Sequence, residues 1–298
     1  MPSTLPIIVT LVSMALLAIF AVRHFASPRA GLIAVVLFAV MPLVWLAARG
    51  GAPQLVLVPF LLGWLLSVDA FLRGGSATWL AMAGASAALM IYVHQAGLVM
   101  APVYLAVAVA VLLARRDRIR AVVALAAGFG LIALPWAVGA LRDPQPLTNA
   151  INAYGLYDAT RFNPLQGMRE LTSWIGLTVR SEVYWDCFNP ALLFLGPGGL
   201  ASSLMSSSVF LLPFAIPLVR GLFAYLVHPR DSMDLLVLGA FAAAPVAAAL
   251  IAQPPSAPRL ILLAPVAAIV ATRGCYPGAF RTTAAGSPAM PRISATTS

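Results

Sequence analysis

Long uncharged runs decide what this chain can fold into. Residues Trp79 to Leu113 contain no Asp, Glu, Lys or Arg. One helix over that stretch, at about 1.5 Å per residue, would exceed roughly 50 Å, against about 30 Å of bilayer hydrocarbon. The polar break Tyr92–Gly97 divides it into two spans. Further apolar runs, two of them interrupted by a single charge (Asp69 and Arg220), cover Leu5–Val22, Ala30–Ala48, Gln54–Leu72, Ala121–Leu141, Leu204–Val227, Leu235–Ala252 and Leu260–Thr272. Only 9% of residues are charged, where a soluble domain carries roughly 25%. That deficit excludes an ordinary soluble domain. In lipid, only helices and closed barrels satisfy every backbone hydrogen bond. Most of the runs are about 18–22 residues long and none alternates in ten-residue segments, so they read as helices. The expected fold is an all-α polytopic transmembrane bundle of about nine spans with one large outer-face loop domain.

That loop, residues 142–203, is the long segment least suited to a bilayer. It holds Asp143, Asp158, Glu170, Glu182 and Asp186, most of the acidic residues in the protein. The expected organisation is therefore six spans in 1–141, an extracytoplasmic cap in 142–203, three spans in 204–273 and a disordered cytoplasmic tail in 274–298. Within the cap, Leu165, Met168, Leu171, Ile175 and Val179 recur at helical spacing. They predict one amphipathic helix over Pro164–Arg180, either lying on the membrane or sealing the bundle as a lid. Tyr184, Trp185 and Phe188 suit an interfacial aromatic belt.

The net charge is +9 and every basic residue is Arg. These Arg residues lie mostly in short loops between apolar runs, so they read as topology signals and not as a nucleic-acid surface. With Arg115–Arg120 placed in the cytoplasm, alternation puts Arg23, Arg73, Arg220–Arg230 and the tail on that side. The N-terminus, Arg49, Arg259 and the cap fall outside. No basic segment precedes Leu5–Val22 and no cleavage site follows it, so it reads as a span and not a signal peptide. Cys187 and Cys275 fall on opposite faces under this topology and are given structural roles. No metal site and no cofactor are expected.

Ionisable groups near membrane depth are costly, which makes them functional candidates. Arg49, His94 and Arg259 all fall at the outer boundary, facing the cap. Together they would form a positive, partly desolvated hollow suited to phosphate, since guanidinium binds phosphate oxygens through paired hydrogen bonds. The plainer alternatives are snorkelling of Arg49 and Arg259 to lipid headgroups, and a loop role for His94. Asp69 is expected to pair with Arg73 at the inner interface. Gly84, Ala88 and Gly128 read as close-packing positions between helices. No P-loop, dinucleotide fingerprint or zinc-protease motif occurs.

The order of features resembles the GT-C superfamily of polytopic glycosyltransferases. The likeness is to the dolichyl-phosphate-mannose protein mannosyltransferase-like group and to the related aminoarabinose and RgtA/B/C/D-like lipopolysaccharide transferases. It is carried by AGLIAVVLFAVMPLVWLAAR (30–49), ALMIYVHQAGLVMAPVYLAV (88–107), GLIALPWAVGAL (130–141), YGLYDATRF (154–162), SEVYWDCFNPALLFLGPGG (181–199) and PPSAPRLILLAPVAAIVATRG (254–274). The resemblance implies transfer of a sugar from a polyprenyl-phosphate donor to a lipid, glycan or protein acceptor. The setting would be the outer face of a bacterial inner (plasma) membrane. By position Arg49, His94 and Arg259 correspond to groups that hold the donor phosphate, and Tyr154, Tyr157 and Arg161 join the substrate-binding set. The family begins with a further span and an outer loop carrying the catalytic acids, while Leu5–Val22 resembles its second span. The expectation is thus a chain that lacks that first span and loop, with the catalytic residue unassigned. A transporter or non-catalytic membrane scaffold is the competing class.

Overall fold

The computed structural model describes residues 4–50, 52–113, 118–153, 157, 163–195, 208–229, 231–250 and 257–275. Among these every regular element is helical. Helix α1 is Thr4–Phe25, α2 Pro28–Ala39, α3 Pro42–Gly50, α4 Leu57–Leu72 after a 3-10 turn at Pro53–Val56, α5 Ala77–Val93, α6 Gln95–Leu113 and α7 Arg118–Arg142. Helices α8 (Gln145–Ala153), α9 (Pro164–Thr172) and α10 (Trp174–Asp186) follow. The last group is α11 (Ala215–Val227), α12 (Ser232–Ala243), α13 (Val246–Leu250) and α14 (Leu263–Cys275).

Among the described residues five segments are long and apolar enough to cross a membrane unaided: Thr4–Phe25, Pro53–Leu72, Gln95–Leu113, Arg118–Arg142 and Ser232–Leu250. The expected single span Ala30–Ala48 is instead the pair α2 and α3, bent by 62°, which makes a sixth if it crosses as one. The cause is Pro42, which has no N–H to continue the ladder. The break strands the Ala39 carbonyl, and the Trp45 indole N–H supplies the missing donor at 2.8 Å. Ala77–Val93, Leu212–Val227 and Leu263–Cys275 are apolar but shorter than the ~20 residues of a straight crossing. The expected span Leu204–Val227 starts late. Residues 208–211 are not helical, and the helix begins with a 3-10 turn whose first turn holds Pro213.

Two close crossings organise the packing. Helix α5 lies against α7 with Gly84 over the Leu125 carbonyl oxygen and Gly128 over the Ala81 carbonyl oxygen, so a Cβ at either position would strike backbone. Helix α11 meets α14 in the same reciprocal way, Gly221 over the Val270 carbonyl oxygen and Gly274 over that of Pro217. Helix α14 is buried from Leu263 to Gly274 and packs against α11, α2 and α12. An Ala-rich sequence that is apolar on all sides is what such a central position requires.

Helix α7 runs unbroken through Pro135. Beside it the Tyr92 hydroxyl is spliced into the ladder, accepting from Trp136 N–H at 3.2 Å and donating to the Ile132 carbonyl at 2.7 Å. Backbone groups loosened by proline are thus satisfied without water, as a lipid-facing helix demands.

The amphipathic helix expected over Pro164–Arg180 is two helices. Ser173 ends α9 and caps α10, its hydroxyl accepting from Gly176 N–H at 3.1 Å. A mid-helix serine offers the backbone this competing bond, and apolar spacing alone does not register it. Helix α10 is anchored at its C-terminal end: Tyr184 donates to the Ala242 carbonyl at 2.9 Å, Phe188 packs at a tilt against Phe241, and Cys187 is fully buried. Cys275 is exposed and, like Cys187, carries a free thiol.

Candidate functional site

The break between α5 and α6 is a single residue. His94 adopts an extended backbone (φ −158, ψ 147) and α6 begins at Gln95. The turn closes through Gly97 N–H to the His94 carbonyl at 2.8 Å. A Cβ at Gly97 would collide with the Met90 carbonyl oxygen, so the tightness of the turn depends on glycine. Ala96 N–H donates to His94 Nδ1 at 3.0 Å. Because Nδ1 is the acceptor, the neutral ring carries its proton on Nε2, and His94 presents an N–H donor.

His94 faces a cavity of about 190 Å³ lined also by Gln54, Leu57, Gln95, Ala96, Ala247, Ala248, Arg259, Ile261 and Leu262. Its walls come from the start of α4, the start of α6, α13 and the turn at Ala257–Leu260. Drug-sized ligands fill roughly 300–1,000 Å³, so this hollow takes the polar head of a larger molecule and not the whole of one. Its polar groups are one guanidinium, one imidazole and two carboxamides, with no carboxylate among the described lining residues. Partial burial holds the His94 pKa below its ordinary value, since desolvation penalises the imidazolium. The neutral donor is therefore the working form near neutrality.

That depression makes stability depend on pH. The unfolded chain takes up a proton at His94 near pH 6.5, whereas the folded chain resists until lower pH. Stability thus falls as pH drops from about 6.5 toward the depressed folded value. His94→Gln should remove that component of the pH dependence in thermal melts of detergent-solubilised protein. An unchanged slope would show that His94 does not contribute.

Of the residues expected at the site, His94 and Arg259 meet in this cavity. Arg49 does not line it. It stands exposed at the end of α3, a helix that packs against the Ala257–Leu260 turn. Tyr157 lies against Gly167, where its ring occupies the space a Cβ would need. Tyr154 and Arg161 lie outside the described residues, as do Asp158 and the tail from residue 276. Glu182 and Asp186 are exposed on α10. Gln54 and Gln95 were not singled out from sequence. The signal that could have found them is a lone amide at the start of each of two apolar runs, on the same expected face as His94.

Asp69 is paired as expected and more fully. Arg73 Nε lies 2.9 Å from one of its oxygens and Arg23 Nε 3.2 Å from the other. A second buried acid, Asp234, carries no such signal in the sequence. It is bonded by Arg273 of α14 at 2.5 Å and approached by His24 of α1 at 3.3 Å. Among the described residues no group of His, Cys, Asp and Glu gathers as a metal site would.

Residues 3–138 match the family described as dolichyl-phosphate-mannose-protein mannosyltransferase. No curated protein and no solved structure matches the chain. The matched part includes Arg49, Gln54, His94 and Gln95, whereas Arg259 falls beyond it. From residue 3 to residue 138 the chain carries the pattern of that family, which bears out the resemblance to GT-C membrane glycosyltransferases.

Proposed function

We propose that the chain serves a membrane glycosyltransferase that moves a sugar from a polyprenyl-phosphate donor to an acceptor at the outer face of the membrane. In this reading His94 and Arg259 receive the donor phosphate. The reading takes each apolar helix, the short ones included, as a crossing, about nine in all. It places the 142–203 segment outside as a cap over the cavity. One observation carries it: His94 and Arg259, far apart in sequence, converge on one hollow whose described lining has hydrogen-bond donors and no carboxylate.

The chemistry fits a leaving-group site. As the bond from the sugar's anomeric carbon to the phosphate oxygen breaks, negative charge accumulates on the phosphate. Donors already oriented there gain strength as the charge develops, and such gains lower the barrier. Arg259 supplies fixed positive charge, His94 Nε2–H a neutral donor, and the two glutamines can turn either end of the amide toward the ligand. The acceptor hydroxyl must lose a proton, and this cavity offers no described carboxylate to take it. The Nε2 of neutral His94 already bears hydrogen, so the hollow is assigned to binding the donor and the general base remains unassigned.

Arg259→Gln should weaken binding of a short-chain polyprenyl phosphate to detergent-purified protein by about ten- to a hundredfold, the loss expected for charge-assisted hydrogen bonds. Arg49→Gln, off the cavity wall, should change it by about twofold or less. The matching polyprenol, without phosphate, should not distinguish wild type from Arg259→Gln. Retained phosphate affinity in Arg259→Gln, or equally tight binding of the alcohol, would overturn the assignment.

A further inference from the structure

At the end of the bundle away from the cavity, one buried carboxylate holds two arginines side by side. Gln54 and Asp69 lie near opposite ends of the same span, Pro53–Leu72, so Asp69 marks the far side. Its side chain is 2% exposed, while those of Arg23 and Arg73 are 39% and 46% exposed. Each guanidinium reaches Asp69 through its Nε. Arg73 also donates through Nη2 to the Arg23 carbonyl at 2.7 Å, which ties the end of α1, just before its closing turn, to the turn after α4. Both turns need left-handed backbone, at Ala26 (φ 51) and at Gly74 (φ 93).

This arrangement leaves an outward-facing edge. Contact through Nε keeps the terminal nitrogens of Arg23, and one of Arg73, available for another acceptor. Two positive charges against one negative leave a net positive charge that is half exposed. Trp79, at the start of α5 and 38% exposed, packs beside Gly75 on the same turn. Tryptophan with arginine at the end of an apolar helix is the signature of the headgroup layer.

We propose that Arg23 and Arg73 form a receptor for the phosphodiester of an anionic membrane lipid, with Asp69 as the positioning residue that sets their spacing. A guanidinium pair can engage phosphate oxygens through parallel hydrogen bonds, which an ammonium cannot reproduce. The location at a span end, beside an interfacial tryptophan, favours a lipid headgroup over a soluble anion. The site lies across the bilayer from the donor cavity and does not depend on the glycosyltransferase reading.

The test is displacement of a fluorescent phosphatidylglycerol from detergent-purified protein. Unlabelled phosphatidylglycerol should compete, and phosphatidylcholine and inorganic phosphate should not. Arg23→Lys and Arg73→Lys keep the charge but lose the paired hydrogen bonds to phosphate, and should each weaken binding about fivefold or more. Arg29→Gln, which removes an exposed charge outside the bracket, should change it by less than about twofold. Asp69→Asn separates the bracket from plain attraction. It raises the net positive charge, so attraction alone predicts tighter binding, while loss of the bracket predicts weaker binding. The proposal falls if both lysine variants bind as wild type, if Asp69→Asn binds tighter, or if inorganic phosphate competes as well as the lipid does. Should one lysine variant fail to fold, the other decides.

Discussion

Gly128→Val is expected to leave little or no folded protein. A Cβ at this position would fall on the Ala81 carbonyl oxygen, and the reciprocal contact at Gly84 already meets the Leu125 carbonyl. Nothing at this crossing can yield as a flexible side chain would, because both obstacles are backbone. The two helices must separate, and doing so forfeits the packing that drives association where lipid is as apolar as protein. Overpacking a core typically costs about 1–3 kcal/mol, and a backbone obstacle lies at or beyond the upper end of that range. The expected readout is loss of the monodisperse peak in detergent, or a melting temperature far below wild type. Gly130→Val is the control: it lies on the same helix, where a Cβ would meet nothing within 4 Å. It should behave nearly as wild type, apart from a few tenths of a kcal/mol in helix propensity. Equal behaviour of the two variants would mean that α5 and α7 do not cross as described.

The crossing at Gly84 and Gly128 was legible in the sequence, because small residues in apolar helical runs let a second backbone approach closely. So was the turn at His94, because no single helix could span Trp79–Leu113 and the polar break was unique. The bend at Pro42 was harder to read. A span that contains proline can continue, as α7 does through Pro135. The difference lies in distant partners, Tyr92 for α7 and Trp45 for the α2–α3 break, which pattern reading does not see. The candidate site was half legible. Arg259 and His94 announced themselves by being ionisable near apolar spans. Whether Arg49 shares their hollow is a matter of helix rotation, and the bend between α2 and α3 sets that rotation. The buried Asp234 cluster was invisible for a different reason. Its members occupy the ends of four helices, and only tertiary packing shows that those ends coincide.

That cluster carries the second large effect. Arg273, 1% exposed, bonds Asp234 through one terminal nitrogen and the His228 carbonyl through the other at 2.6 Å, and its guanidinium lies 4.1 Å above the Tyr225 ring. His24 Nε2 lies 3.0 Å from the Tyr225 hydroxyl. Helices α1, α11, α12 and α14 therefore meet around one carboxylate that is itself 1% exposed. Arg273→Met removes the main counter-charge and leaves Asp234 in a low-dielectric site, a loss of about 3–5 kcal/mol. Arg273→Lys should recover only part of this, since one ammonium cannot bond both acceptors and cover the ring. The informative variant is the double replacement Asp234→Leu with Arg273→Met. The attraction within a buried ion pair offsets its desolvation poorly, so an apolar pair of similar volume should restore most of the stability lost by either single change. Thermal or denaturant unfolding of the four proteins in one detergent measures the cycle. Strict additivity of the two single losses would show that Asp234 and Arg273 do not act on each other, and the joining of these four helix ends would need another cause.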